Sequence, residues 1–230
     1  MYNTTDLSKI SQITSCIYLS GIFPLDENYQ KIKELNIKYI LCCVDRSFIS
    51  EVHDRILADN PNLTILYLPY NDDLNQNLWE INRYHHKPEF RGSFVKQSEN
   101  QINLVKYAGS TEAYDKILQQ LNYYNNKPMI EIGYNFINNA VEEKSNILVH
   151  CMAGISRSAS LVIYFLMKKY HFGYYEAEKI VKDRRQIINP NICFKSQLLA
   201  YQDSREKLTE ADTQNIINSL KSKMIRFNEK

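Results

Sequence analysis

Apolar residues come in two kinds of run along this chain. Four runs are short and continuous: Cys16-Ile17-Tyr18-Leu19, which ends at Ser20-Gly21; Ile37 to Val44; Leu63 to Leu68, entered through the turn cluster Asn60-Pro61-Asn62; and Ile147 to Cys151. Short runs rich in β-branched residues and bounded by turn formers predict buried strands. Between and after them the apolar positions recur at helical spacing. Helices are predicted over Asp26 to Leu35, Ser50 to Ala58, Met129 to Val141, Ala159 to Tyr170, Tyr175 to Ile188 and Phe194 to Lys207, with Pro190 stopping the fifth. Thr209-Glu210-Ala211-Asp212 reads as a capping box opening a last helix that carries Ile216, Ile217, Leu220 and Met224. Strands that alternate with helices predict an α/β fold: a central, mostly parallel sheet flanked by helices. In such sheets ligands bind beyond the C-terminal ends of the strands.

Residues 79–128 break the pattern. The segment is polar and tyrosine-rich, and Arg83-Tyr84-His85-His86-Lys87-Pro88 shows no period. Only Glu112 to Tyr124 reads as helix, with Tyr114, Ile117, Leu118 and Leu121 on one face. A structureless stretch of this length is uncommon unless it has a function or is disordered. His85 and His86 are adjacent, so they face different ways, and no carboxylate stands at ligand spacing; the expectation is that they hold no metal.

Composition narrows the classes. The 230 residues suit one domain with an insertion or an appendage. A hydrophobic share of 44% and a charged share of 23% are those of an ordinary globular protein with one sizeable core. A net charge of +2 argues against a general electrostatic nucleic-acid binder. The five cysteines, Cys16, Cys42, Cys43, Cys151 and Cys193, are odd in number and lack zinc-like spacing. They read as reduced thiols in a cytoplasmic setting, with nucleus and virion left open. The first residues, Met1 to Asp6, lack the order of a signal peptide, and Leu161 to Met167 is far short of a membrane span, so no membrane contact is expected.

The chemistry concentrates in Ile147 to Ser160, which reads as strand, loop, helix. A loop closing onto a helix N-terminus turns successive N–H groups inward, and the helix dipole adds positive potential, so the concavity suits an oxyanion. Cys151 lies at its base. In such a field a thiolate is favoured, with pKa values lowered to roughly 3.5–7.5 in comparable settings. Arg157 offers a planar fork for two phosphate oxygens, Gly154 suits a positive φ, and the Ser158 hydroxyl can hydrogen-bond the sulfur and stabilise it as a leaving group. A Cys with an Arg six positions on is a weak motif by itself; the strand before it and the helix after it give it weight. Proton donation to a leaving oxygen calls for a carboxyl above the loop, and Asp72 and Asp73, in the polar loop Pro69 to Leu78, both qualify by chemistry.

His150-Cys151-Met152-Ala153-Gly154-Ile155-Ser156-Arg157-Ser158 resembles the signature loop of the cysteine-dependent protein phosphatases, specifically the dual-specificity branch. Pro69-Tyr70-Asn71-Asp72 followed by Asn75-Gln76-Asn77-Leu78 is similar to the general-acid loop of mitogen-activated-kinase phosphatases, and Asn189-Pro190-Asn191 with Phe194 and Gln197-Leu198-Leu199 to that branch's closing helix. The resemblance covers roughly residues 10–78 and 129–205. It implies a catalytic domain over 1–207, interrupted by an insertion at 79–128 beside the active site, and a C-terminal helical extension over 208–230. It also implies roles. Cys151 would attack phosphorus; Arg157 and the loop from Met152 through Ala153, Gly154 and Ile155 to Ser156 would bind phosphate; Asp72, not Asp73, would be the general acid; Ser158 would assist the sulfur; His150 would hold the loop. No cofactor and no metal are expected. The partner is a phosphoprotein substrate, phosphotyrosine and also phosphoserine or phosphothreonine, with self-association through the insertion or the C-terminal helix left open.

Two rival readings frame that one. A phosphate-recognising module that has lost catalysis would usually lack the Cys or the Arg, and both are here. Relatives acting on phosphoinositides or RNA 5′-triphosphates tend to carry extra Lys, His or Asn in the loop, and Met152, Ala153 and Ile155 supply none. Arg184 and Arg185 could extend a positive rim, though cations at a helix C-terminus are the commoner case. Cys42 or Cys43, at a neighbouring strand end, could trap an oxidised Cys151 as a disulfide, although strand-end cysteines are more often core residues.

Overall fold

The structure is a computed structural model and describes residues 4–81, 89–91, 94–96, 103–107, 119 and 123–228. In chain order the elements are α1 (Thr4–Leu7), β1 (Ser11–Gln12), β2 (Ile17–Ser20), α2 (Phe23–Glu27), α3 (Lys31–Glu34), β3 (Ile37–Cys42), α4 (Ser50–Asp59) and β4 (Thr64–Tyr67). Then come β5 (Glu89–Arg91), β6 (Phe94–Lys96), β7 (Asn103–Tyr107), α5 (Met129–Glu142), β8 (Asn146–His150), α6 (Arg157–Tyr170), α7 (Tyr174–Arg184) and α8 (Ile192–Asn228). Among the described residues one sheet runs β1-β2-β8-β3-β4-β7-β6-β5.

The four central strands, β2, β8, β3 and β4, are parallel, and they are the four apolar runs of the sequence. Ile17, Leu19, Ile40, Leu41, Ile65, Leu66, Ile147, Leu148 and Val149 are wholly buried, as strands covered on both faces require. The steps from β2 to β3 and from β3 to β4 run one way and the step from β4 to β8 runs back, so right-handed crossovers place α2 to α4 on one face and α5 on the other. Helix α6 is the most deeply buried: Ser158 to Met167 are all inaccessible, so the helix that follows the loop is anchored in the core and not laid over it. Its start precedes the predicted one, and Arg157 is its first residue.

Several elements differ from expectation. The helix predicted over Asp26 to Leu35 is two short helices, Phe23–Glu27 and Lys31–Glu34, because Asn28 caps the first and Pro24 sets its start earlier. The predicted break at Thr209 is absent. Helix α8 continues from Ile192 to Asn228, and the Thr209 hydroxyl donates back to the Arg205 carbonyl at 3.0 Å instead of capping a new helix. Most of the helix predicted over Glu112 to Tyr124 lies outside the described residues, as do His85 and His86.

The segment after the acid loop adds three antiparallel strands to the β4 edge, where periodicity signalled none. Thr64 to Tyr67 of β4 pair with Lys106 to Asn103 of β7, and β6 and β5 follow as a meander. The segment leaves and re-enters the domain at one point: Ile81 bridges Pro128, the Met129 amide donates to the Glu80 carbonyl at 2.8 Å and the Ile130 amide to the Leu78 carbonyl at 3.1 Å. A β4 without β7 would present a bare edge of apolar strand, which invites pairing with another chain. Replacing 82–127 by a short Gly-Ser linker is therefore expected to lower the urea midpoint and to produce oligomers in size-exclusion chromatography. A deletion variant that stays monomeric and as stable as the full chain would show that the added strands contribute nothing to the edge.

Candidate active site

The loop from Cys151 to Ser156 is fixed by what its carbonyls touch. The Met152 carbonyl accepts from the Ile22 amide at 2.9 Å and the Ile155 carbonyl from the Asn189 amide at 2.9 Å. Between them, the Ala153 carbonyl accepts from Arg185 Nη2 at 3.1 Å and the Gly154 carbonyl from Arg185 Nε at 2.8 Å. In a trans peptide the N–H points opposite to the C=O, so four carbonyls drawn outward turn the next four amides inward. The Gly154 amide shows the direction: it donates to Cys151 Sγ at 3.2 Å. Gly154 has φ +69°, and a Cβ there would stand 2.3 Å from the Ser20 carbonyl carbon; at Gly21 it would stand 2.7 Å from Met152 O. The loop is thus pressed against the end of β2 with no room for side chains.

The reactive groups converge on that concavity. Cys151 is buried, and its sulfur also accepts from the Ser158 hydroxyl at 3.2 Å. Arg157 donates through Nη1 to the Tyr70 carbonyl at 3.3 Å, while its buried Nε has no hydrogen-bond acceptor among the described residues. Asp72 Oδ2 stands 3.6 Å from that Nε. Asp72 Oδ1 accepts from Ser156 Oγ at 2.7 Å and from Asn191 Nδ2 at 2.8 Å, which holds the carboxyl over the loop. Asp73 faces elsewhere and caps its own turn, accepting from the Asn75 and Gln76 amides at 2.8 and 2.9 Å. A cavity of about 740 Å³ opens from here, lined by Arg157, Asp72, Met152, Pro69, Tyr70, Val44, Asp45 and Phe48.

The closing helix positions the acid loop. Asn191 Oδ1 accepts from the Phe194 amide, capping α8, while its other amide atom reaches Asp72. Gln197 accepts from the Leu78 amide at 2.8 Å and donates to the Gln76 carbonyl at 2.9 Å. Gln76 in turn accepts from the Asn71 amide at 2.9 Å. Of the residues singled out in the sequence, His150, Cys151, Met152, Ala153, Gly154, Ile155, Ser156, Arg157, Ser158 and Asp72 all meet at this one strand end.

Arg185 is the residue whose sequence reading needs correction. It neither forms a rim nor merely ends a helix: it is 3% exposed beneath the loop, and its Nη1 also donates to the Lys9 carbonyl at 2.9 Å and the Asp6 carbonyl at 3.2 Å. Burial holds its pKa below the ordinary arginine value, and the neighbouring Cys151 sulfur opposes that shift. Nothing in the pair Arg184-Arg185 distinguished the buried cation from the exposed one. The structure also separates the two strand-end cysteines. Cys42 pairs in register with His150, so Cys43 comes opposite Cys151, and the Cys43 amide donates to the His150 carbonyl at 2.8 Å. Side-chain alternation turns Cys42 toward α4 and leaves Cys43 on the Cys151 side. Burial pushes the Cys43 thiol pKa up, and Cys151 is its next cause.

A family model described as dual specificity phosphatase, catalytic domain, matches residues 81–204. The chain belongs to the dual-specificity phosphatase family. A protein of Acanthamoeba polyphaga mimivirus named as a tyrosine-protein phosphatase is 52% identical over 216 residues, 94% of each chain. Dual specificity protein phosphatase 8 of Mus musculus is 40% identical over 86 residues, 37% of this chain and 13% of that protein, a local match. Among solved structures, the human tyrosine phosphatase-like serine/threonine/tyrosine-interacting protein superposes with a TM-score of 0.54 at 19% identity, covering 85% of this chain and 97% of that one. The Cydia pomonella PTP-2 phosphatase superposes with a TM-score of 0.55 at 16% identity, covering 84% and 89%. At those identities the superpositions show the shared fold. The protein is accordingly a protein-tyrosine/dual-specificity phosphatase, and phosphoproteins are the substrates its family implies. No helix among the described residues is long and apolar enough to cross a membrane.

Two measurements test this geometry. Lysine cannot reproduce the fork of Arg185, and an unpaired buried carbonyl costs about 1–3 kcal/mol; a displaced loop costs about 10² in rate. Arg185→Lys should lower both the unfolding midpoint and kcat, whereas a variant with wild-type kcat would show that the loop does not need the tether. For oxidation, neighbouring strands lie about 4.8 Å apart, within disulfide reach. Peroxide inactivation should be reversed by dithiothreitol in the wild type but not in Cys43→Ser, with a Cys43–Cys151 disulfide found by mass spectrometry. Equal recovery in the variant would dispose of the trap.

Proposed function

We propose that this phosphatase hydrolyses phosphotyrosine, and also phosphoserine and phosphothreonine, through a phosphocysteine intermediate and without a metal ion. The observation that supports it most is the conjunction at the strand end: inward amides, a buried Arg157 Nε with no hydrogen-bond acceptor among the described residues, and the Cys151 sulfur between them. Phosphate oxygens would satisfy those donors, placing phosphorus over the sulfur. Cys151 attacks in line and the leaving oxygen departs opposite, on the side where Asp72 is held by Ser156 and Asn191. Asp72 gives it a proton; as carboxylate it then takes a proton from water attacking the phosphocysteine, while Ser158 donates to the departing sulfur. The apolar walls of the cavity, Phe48, Met152, Pro69 and Tyr70, suit an aromatic ring, and the exposed edges of Phe48 and Met152 leave room for a shorter side chain to approach.

Turnover of p-nitrophenyl phosphate in excess EDTA, followed by phosphotyrosine and phosphothreonine peptides, is the direct test. Cys151→Ser should fold and show no turnover, since a serine hydroxyl is a far weaker nucleophile and leaving group than a cysteine sulfur. Asp72→Asn should lower kcat by about 10²–10⁴ on substrates with poor leaving groups. Asp73→Asn should change little, because it keeps the oxygen that caps the turn. Loss of activity in EDTA, or the larger effect at Asp73, would overturn the respective part of the reading.

A further inference from the structure

Beneath the loop lies a hydrogen-bonded series that the reaction above does not use. His150 Nδ1 is 3.3 Å from the Cys151 carbonyl, His150 Nε2 is 3.0 Å from His53 Nε2, and His53 Nδ1 is 2.8 Å from the Tyr67 hydroxyl. Both rings are wholly buried. The direction of every bond follows from one fact: a carbonyl only accepts. His150 must therefore carry its proton on Nδ1, which leaves its Nε2 bare. His53 must then donate from Nε2, so its Nδ1 is bare and the Tyr67 hydroxyl donates to it. Beyond Tyr67 stands Arg46, whose Nη2 pairs with Asp54 at 3.4 Å and whose charge opposes the upward shift that burial gives the Tyr67 pKa. All donors run the same way, from the Tyr67 hydroxyl toward the Cys151 peptide, and bonds in such a series strengthen one another.

We infer that His53 is a positioning residue of the phosphatase reaction: by donating to His150 Nε2 it adds to the carbonyl's own preference for the proton on Nδ1 and holds the ring in place, and so helps fix the Cys151 carbonyl and the first peptide of the loop. Without that donor, His150 is free to hold its proton on Nε2. Two lone pairs, on Nδ1 and on the Cys151 oxygen, would then face each other, and the first peptide of the loop would turn. This peptide is the one whose orientation the Ile22, Arg185 and Asn189 contacts leave unspecified. The inference rests on Cys151 as nucleophile for its kinetic consequence, though not for the tautomer itself.

The same groups raise one rival. Cys42, His53 and His150 each offer one ligand atom, and these lie within 4.8 Å of one another, a grouping that could hold a metal ion. Hydrogen-bond accounting favours the relay. The two nitrogens satisfy each other, and the Cys42 thiol donates to the Val44 carbonyl at 3.4 Å. Burial also pushes the thiol pKa up, against the thiolate a metal would need.

The experiment is ¹⁵N NMR of histidine-labelled full-length protein, read beside kcat and KM for p-nitrophenyl phosphate. Wild type should show His150 protonated on Nδ1 and His53 on Nε2. His53→Gln, which keeps an N–H toward His150, should retain that tautomer and a kcat within about threefold. His53→Leu should show mixed His150 tautomers and a kcat lower by about tenfold or more with KM little changed, the signature of a misplaced reacting group. A wild-type tautomer and kcat in His53→Leu would overturn the inference. So would equal losses in the Leu and Gln variants, which would mean packing alone, and so would stoichiometric zinc on the purified wild type. Should His53→Leu fail to fold, Tyr67→Phe replaces it: His53 should then lose its single tautomer and kcat should drop severalfold, and no change in either would equally overturn the inference. A wild type with the expected tautomers but no turnover would count against the phosphocysteine reading and leave the carbonyl's fixation standing.

Discussion

An oxyanion site made of backbone amides depends on where the carbonyls go. Each inward N–H requires the preceding carbonyl to be turned away, and a buried carbonyl needs a donor. In this chain the donors come from four separate places: Ile22 after β2, Arg185 at the end of α7, Asn189 before α8, and His150 at the end of β8. Ser156, the last residue of the loop, passes its carbonyl to Ser160 within α6. The loop is therefore not a local motif that folds by itself. It is the point at which distant parts of the chain discharge hydrogen-bonding obligations, and the amides are aimed as a by-product.

That dependence explains why buried polar groups are tolerated beneath the site. Arg185 sits in the core with carbonyl partners in place of a carboxylate, so its charge is only partly compensated. An uncompensated buried cation is costly. Under a loop whose amides face inward it adds positive potential, and the same placement would be a defect elsewhere. His53 and His150 follow a similar logic. Burial lowers the pKa of both, that of His150 to about 4, so at neutral pH they serve as fixed, uncharged links.

The sequence carried the parallel core, the loop and its principal residues, because buried parallel strands are continuous apolar runs and the signature lies in a contiguous segment. In the sequence Asp72 was separable from Asp73 only through the resemblance; in the structure Asp73 accepts from the Asn75 and Gln76 amides while Asp72 is held over the loop by Ser156 and Asn191. Three things were not legible. Arg185 and His53 act through partners more than thirty residues away, at Gly154 and at His150 respectively, and neither periodicity nor local spacing reports such contacts. The strands β5 to β7 are three to five residues each and lie in polar surroundings, so no alternation long enough to count was present. The Thr209 box failed for another reason: its hydroxyl found an acceptor one turn back, which a continuous helix offers as readily as a new N-terminus does.

The added strands and Asp72 share one mechanical node. Strand β4 pairs on one side with β3 and on the other with β7, and its chain runs directly into the loop that carries Asp72. The loop ends at Leu78, whose amide donates to Gln197 and whose carbonyl accepts from both Ile130 and Tyr70. Ile130 lies at the start of α5, where the added segment rejoins the domain. The strands thus enter and leave the domain next to the fixed end of the acid loop. A displacement of the added strands would reach Asp72 by two routes, through β4 at one end of its loop and through Leu78 at the other. The placement of Asp72 is consequently coupled to this segment by hydrogen bonds and strand pairing, whatever the segment itself contacts beyond the sheet.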